Sequence, residues 1–148
     1  MTAEKLQQKL ALLSADSPAQ FGIMTPQHMV EHLIITFKLS QGKISLPEKE
    51  PSPRALEAKQ AILYGNMELP RGVKAPGLGD QLMELRFGSL DEAKVGLAKA
   101  LEDFDLYYSS NKDLKHYHPA FGKLNYEEWL AFHQKHFKHH LGQFGISW

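Results

Sequence analysis

The sequence predicts an all-α protein, a four-helix bundle preceded by a short N-terminal helix. Three observations lead to this expectation. Apolar residues recur every three or four positions along the long segments, helix-capping residues stand at their starts, and turns rich in proline and glycine separate them. Since 148 residues are typical of one domain, we expect a single domain over residues 1–148, with the bundle at about 25–144.

The first two helices are indicated by their apolar spacing and their boundaries. Leucines at helical spacing predict a short amphipathic helix over residues 3–14. Thr25 as N-cap and Pro26 at the first helical position begin a long helix that runs to about Gln41. On a helical wheel, His32 lies on the apolar side of this helix and points into the core of the bundle. Its charged outer side is predicted to hold Gln27, Glu31, Lys38 and Gln41.

The remaining chain alternates helices and connections. Helices are predicted over residues 53–65 and 89–109, the second opened by a capping box. The segment 66–88 is rich in proline and glycine and too long for a plain connector, so we expect it to line a mouth or act as a lid, in a conformation that the sequence leaves open. Residues 111–124 read as a turn-rich connection, and residues 125–144 as the last helix.

The last helix contains four of the eight histidines of the chain. At 100° per residue, His133, His136 and His140 fall within one arc of about 80° together with Trp129 and Gln143. The histidines are therefore predicted to face the interior. Because His136 and His140 are four residues apart, their rings can reach the same ion.

His32 supplies a third inward imidazole from a different helix, as expected for a site built between facing helices. The chain has no cysteine, so any metal ion must be held by His, Asp or Glu. The alternative is that all of these are core histidines, satisfied by hydroxyl or backbone groups.

A second histidine pattern lies on the same helix as His32. Residues 28–32 match H-x-x-E-H, the pattern of inverted zinc peptidases. We interpret the match as accidental, because Glu31 falls about 100° away from His32 on the wheel. His28 lies one turn before His32, where it could support a ligand or stand at the mouth of the site.

Charge and hydropathy narrow the class of protein. Seventeen basic residues balance seventeen acidic ones without long blocks of either sign, which argues against a nucleic-acid or membrane surface. No apolar run approaches the 18 residues of a membrane span, and the first ten residues lack the apolar core of a signal peptide. We therefore expect a cytoplasmic protein.

Two stretches together resemble a known group. Residues 24–33 read MTPQHMVEHL and residues 136–143 read HFKHHLGQ. The pair resembles the DinB/YfiT-like superfamily of four-helix metal proteins, whose members have a histidine followed by leucine on the first bundle helix and H-x-x-H-H-x-x-Q on the last. With the stretch HPAFGKL at 118–124, the chain looks like an uncharacterised branch known as a domain of unknown function, and the resemblance spans about residues 21–146.

The resemblance implies an up-down bundle with long connections and a histidine triad of metal ligands at His32, His136 and His140, the trio that the wheels also select. His133 could orient a ligand, carry a proton or bind substrate. Relatives often have arginine after the paired histidines, whereas this chain has Leu141, so no charged group is carried over there.

The expected function is that of a small metalloenzyme. Three neutral imidazoles leave a coordination position open, and both zinc and nickel suit imidazole. The resemblance implies either a hydrolase that activates water or a transferase that activates a low-molecular-weight thiol for attack on a small-molecule substrate, with His133 or His28 managing the proton. A homodimer is also compatible with the resemblance.

The alternative belongs to another class: a non-catalytic bundle that binds a metal or small ligand, or that self-associates. The lack of an inward carboxylate near the triad favours it slightly, since hydrolases usually have a general base.

Overall fold

The computed structural model describes residues 1–72 and 82–148, and it is mostly helical. The elements are helices α1 (Ala3–Leu10), α2 (Pro26–Ser40), α3 (Pro53–Leu63), α4 (Leu90–Ser109) and α5 (Tyr126–Gly142), and strands β1 (His116–His118) and β2 (Gly122–Leu124). The predicted helices are confirmed within a few residues of their expected ends. α1 is the main exception, because it ends at Leu10 instead of residue 14 and continues as a turn.

Helix starts follow the capping residues. The Asn125 side chain accepts a hydrogen bond from the Glu128 backbone at 3.0 Å, and the Glu128 carboxylate accepts one from the Asn125 backbone at 3.2 Å. The predicted capping box of α5 is therefore confirmed, and an N-cap of this kind stabilises a helix by about 1 kcal/mol. The box predicted for α4 is only half formed, because Glu92 accepts from the Gly88 backbone instead of reaching the N-cap Ser89.

The connection before α5, which the sequence predicted as turn-rich, contains a small two-stranded sheet. There, β1 and β2 pair antiparallel, with His116 opposite Leu124 and His118 opposite Gly122. The Nδ1 of His118 accepts the backbone N–H groups of Ala120 at 3.0 Å and Phe121 at 3.3 Å, which closes the turn between the strands. The connection that the sequence presented as turn-rich is thus a short hairpin.

Helix α2 packs against α4, α5 and β1, while α3 packs on α5 and α1 on α4. The core between these elements combines aliphatic side chains with a cluster of aromatic ones. Its largest fully buried side chains are Trp129, Tyr108, Phe37, Phe104 and Phe137. Burying each such side chain contributes about 1.5–3 kcal/mol, so this cluster fixes how α2 and α5 face each other.

Two residues expected on the outer side of α2 are buried. Glu31 and Gln41 are only 6% and 5% exposed. Glu31 accepts hydrogen bonds from the backbone N–H groups of Arg86 at 2.6 Å and Phe87 at 3.4 Å, and Gln41 donates to the Phe37 carbonyl at 3.1 Å. The prediction was wrong at Glu31 because the backbone just before α4 covers that side chain, and at Gln41 because the side chain folds back onto its own helix.

Of the connection predicted at 66–88, residues 73–81 lie outside the described part of the chain. Residues 82–86 form neither strand nor helix. Within the described ranges, no helix has the length and apolar character needed to cross a membrane.

Candidate metal centre

Helices α2 and α5 bring three histidines together. His32 of α2 faces His136 and His140 of α5, and one ring nitrogen from each lies within 4.8 Å of the other two. The Nε2 of His136 is 3.0 Å from that of His32 and 2.9 Å from that of His140. The trio selected from the sequence is therefore a real cluster in space, and these three side chains could hold a metal ion.

Gln143 determines which nitrogen of His140 carries the proton. The Nδ1 of His140 lies 2.9 Å from the Oε1 of Gln143. Because a carboxamide oxygen only accepts, Nδ1 carries the hydrogen and Nε2 keeps its lone pair toward His136. Supporting hydrogen bonds of this kind orient metal-binding histidines.

His136 cannot satisfy both of its nitrogens within the triad. Its Nδ1 is buried and has no hydrogen-bond partner among the described residues. If the proton is on Nδ1, an unpaired N–H is buried and the Nε2 lone pairs of His136 and His140 face each other. If it is on Nε2, that N–H can donate to only one of the two neighbouring rings, and a lone pair is buried at Nδ1. Either arrangement costs free energy without a cation.

Burial keeps the three rings neutral. Loss of solvent, followed by repulsion from His139, lowers the pKa of His32 to about 4. Burial lowers the pKa of His140 to about 3, and it holds the pKa of His136 well below the ordinary range, with His140 and His32 adding repulsion. Each ring is therefore neutral at neutral pH and keeps one nitrogen lone pair, as metal binding requires.

Two of the three separations between these nitrogens fit a shared ion, and the third, between His32 and His140, is no longer than 4.8 Å. Two imidazole nitrogens bound at about 2.0–2.1 Å to one ion lie about 2.8–3.4 Å apart for angles between 90° and tetrahedral. The observed 2.9 Å and 3.0 Å fall at the short end of that range. A cation among the three lone pairs would also remove their mutual repulsion, so the donor set fits a divalent metal.

A family model described as "Protein of unknown function (DUF1569)" matches residues 88–146. That part of the chain is similar to this family. It holds α4, the hairpin and α5, and thus His136 and His140 but not His32. No curated protein and no solved structure matches the chain. The family description assigns no activity, so the functional argument depends on the site itself.

His133, a predicted proton carrier, is placed apart from the triad. Its Nε2 lies 3.0 Å from the Ser40 hydroxyl, whose own hydrogen is donated to the Phe37 carbonyl at 2.7 Å. Ser40 therefore accepts from His133, which must carry its proton on Nε2. The ring is 2% exposed and stacks on Phe37 and Trp129, and burial lowers its pKa.

His28, the other predicted proton carrier, lies at the first turn of α2. Its Nδ1 is 2.5 Å from the hydroxyl of the N-cap residue Thr25, and the ring is only partly buried. The structure does not include it in the triad. Its role in proton transfer stays a prediction.

Two supporting residues were not assigned roles from the sequence. Gln143 lies on the predicted histidine stripe, and its position three residues after His140 was the signal for a side-chain hydrogen bond. Ser40 carried no such signal, because its contact with His133 joins two helices that are distant in the sequence.

Proposed function

We propose that His32, His136 and His140 bind a divalent metal ion, zinc or nickel, and that the protein is a small metalloenzyme. The observation that carries the proposal is the convergence of three neutral imidazole nitrogens from two helices, with His136 Nε2 at 2.9 Å and 3.0 Å from its neighbours. A bound ion would supply Lewis acidity, which lowers the pKa of a water or thiol toward neutrality.

The residues of the chain orient the ligands and determine from which side the site is open. His32 is the more open member of the triad, since it is partly exposed whereas His136 and His140 are buried. Gln143 holds the His140 ring in the tautomer that presents Nε2 to the site. Phe132 stacks on His136 with ring centroids 4.9 Å apart, which excludes water from that side. Substrate would therefore approach past His32.

We further infer that α2, α3, α4 and α5 form a four-helix arrangement of the DinB/YfiT-like kind. Support comes from the packing of α2 on α4 and α5 and of α3 on α5. The histidine positions on α2 and α5 agree with the motif of that superfamily. This resemblance favours two reactions, hydrolysis with activated water and transfer of a low-molecular-weight thiol to an electrophile.

The test is activity with and without metal. Purified full-length protein is stripped with chelator, reloaded with zinc or nickel, and assayed for ester and phosphoester hydrolysis and for conjugation of small thiols with an electrophile. We expect one of these activities to depend on metal and to be lost in His32→Ala. Equal rates in stripped and reloaded protein, or full activity in His32→Ala, would contradict the proposal.

The alternative function is metal or small-ligand binding without catalysis. It is favoured because the triad consists of histidines alone and contains no carboxylate that could act as a general base. The two predicted proton carriers are already hydrogen-bonded, His133 to Ser40 and His28 to Thr25. Tight metal binding with no metal-dependent turnover in any of the assays would select this alternative.

A further inference from the structure

The connection that leads into α2 is fixed on the end of α5, the helix that carries two of the three ligands. The backbone N–H of Gln20 donates to the Gln143 carbonyl at 2.6 Å. The Phe21 ring meets His139 edge-on, with ring centroids 5.5 Å apart. Gln143 is also the residue whose side-chain oxygen lies 2.9 Å from the Nδ1 of the ligand His140. The connection therefore contacts the residue that supports the candidate metal centre.

Gly22 is the point at which this connection approaches the side chain of Gln143. Its φ is +78°, in the left-handed region that favours glycine. A Cβ atom on Gly22 would lie only 2.9 Å from the Nε2 of Gln143 and 3.8 Å from its Cδ. The shorter distance is well inside the optimal separation of non-bonded heavy atoms, about 3.5–4.0 Å. The carboxamide thus occupies a space that is open only because residue 22 has no side chain.

A methyl group at position 22 would displace this carboxamide. The Gln143 carboxamide ends a flexible side chain, so it moves more easily than the backbone that would carry the methyl group. Gln143 is only 6% exposed, which leaves little room for a different orientation. Because an amide group is planar, a shift of Nε2 also moves Oε1 relative to the His140 ring. The hydrogen bond that orients this ligand would then be weakened or lost.

We propose that Gly22 is a positioning residue of the metal centre, because its missing side chain leaves the space from which Gln143 holds the His140 ring. The connection before α2 thereby controls the orientation of a ligand on α5. This inference rests on the proposed function, since it requires that the triad binds a metal ion. It adds a residue without a polar side chain, outside the triad, on which metal affinity depends.

The test measures the zinc affinity of purified full-length protein by competition with a chromophoric chelator. Gly22→Ala adds the methyl group beside Gln143. We expect it to lower the affinity about tenfold or more, within the 10–100-fold range for groups that orient a metal ligand. Circular dichroism and the urea midpoint of the metal-free protein show whether the variant is folded.

Two further variants separate the displacement of Gln143 from backbone strain. Gly72 is also exposed and has a φ of +79°, but a Cβ there would meet nothing within 4 Å in the described part of the chain. Gly72→Ala therefore introduces the strain alone and should keep wild-type affinity. Gly22→Asn keeps the Cβ with less strain, because asparagine tolerates the left-handed region. It should lose affinity as Gly22→Ala does, and it carries the comparison if Gly22→Ala does not fold.

A double variant tests whether Gly22 acts through Gln143. Gln143→Ala removes the carboxamide, so a methyl group at position 22 has nothing left to displace. We expect Gly22→Ala combined with Gln143→Ala to bind zinc as Gln143→Ala alone does. Such non-additivity indicates that the two residues act together, and a merely structural role of Gly22 would not produce it.

Wild-type affinity in a folded Gly22→Ala or Gly22→Asn protein would overturn the inference, as would equal losses in Gly22→Ala and Gly72→Ala. Losses that add in the double variant would overturn it too, because Gly22 would then act by another route. Each of these results, obtained with a wild type that binds zinc, contradicts this inference and leaves the proposed metal site standing. A wild type that binds no zinc contradicts the proposed function, and this inference with it.

Discussion

The protein contains two groups of buried histidines that differ in what their nitrogens face. In the triad of His32, His136 and His140, ring nitrogens face one another at 2.9 Å and 3.0 Å. His118 and His133 are also buried, but His118 accepts two backbone N–H groups and His133 donates to a serine hydroxyl. Burial alone therefore does not distinguish a metal ligand from a structural histidine.

The difference lies in hydrogen-bond satisfaction. His118 and His133 each have a hydrogen-bond partner of the opposite kind: His118 accepts from backbone donors, and His133 donates to a hydroxyl acceptor. In the triad, identical groups meet, and the buried Nδ1 of His136 has no partner in the described part of the chain. A cation bound by the three nitrogens removes this conflict in the triad. His118 and His133 already have hydrogen-bond partners, so a cation would not stabilise them in this way.

Acid should destabilise the metal-free protein through both groups, and this is the largest expected effect. Burial lowers the pKa of His118 to about 3 and lowers that of His133. Because the unfolded chain takes up these protons near pH 6.5 and the folded chain does not, the stability is present above pH 6.5 and is lost as the pH falls toward 3. Each such group lowers the free energy of unfolding by about 1.4 kcal/mol per pH unit below pH 6.5. The three histidines of the triad add to this pH dependence.

Urea unfolding with chelator present, followed by circular dichroism, measures this effect. The midpoint should be flat between pH 8 and 7 and should fall steeply between pH 6.5 and 5. A midpoint that stays constant down to pH 5 would mean that these histidines are protonated equally in the folded and unfolded chains.

Ser40→Ala should destabilise the protein without affecting the triad. The substitution leaves the Nε2–H of His133 buried without an acceptor, which costs about 1–3 kcal/mol. Urea unfolding of the chelated protein measures the loss, and metal titration should give wild-type affinity. If Ser40→Ala weakened metal binding as much as it weakened folding, the two groups of histidines would not be independent.

Gln143→Ala should weaken the metal centre while changing the fold little. Loss of the acceptor frees the His140 ring to turn or to change tautomer, and removal of such supporting groups lowers metal affinity about 10–100-fold. Competition with a chromophoric chelator measures this. Gln143→Glu restores an acceptor and should recover the affinity, while Gln8→Ala on the exposed face of α1 serves as control. Unchanged affinity in Gln143→Ala would remove that residue from the site.

Local signals in the sequence sufficed for α5 and its histidine stripe. The capping box at Asn125 and Glu128 fixes where the helix begins, and the 3.6-residue period then places His136 and His140 on one inward face. His32 followed from the same period on α2. These predictions succeeded because they depend on contacts between residues three or four positions apart.

The failures depend on contacts between distant segments. The strands of the hairpin have three residues each, too few for an alternating pattern to be recognised. Glu31 is buried because the backbone at Arg86 and Phe87 folds over it, which its position on α2 could not reveal.

We propose that the triad binds metal and that the other buried histidines do not. Plasma emission on protein purified without an affinity tag, compared with His136→Ala and the matched variant His133→Gln on the same helix, tests it most directly. We expect about one zinc or nickel ion per chain in the wild type and in His133→Gln, and none in a folded His136→Ala protein. Wild-type protein that holds no metal and takes up neither ion when incubated with it would contradict the claim, as would equal loss in both variants.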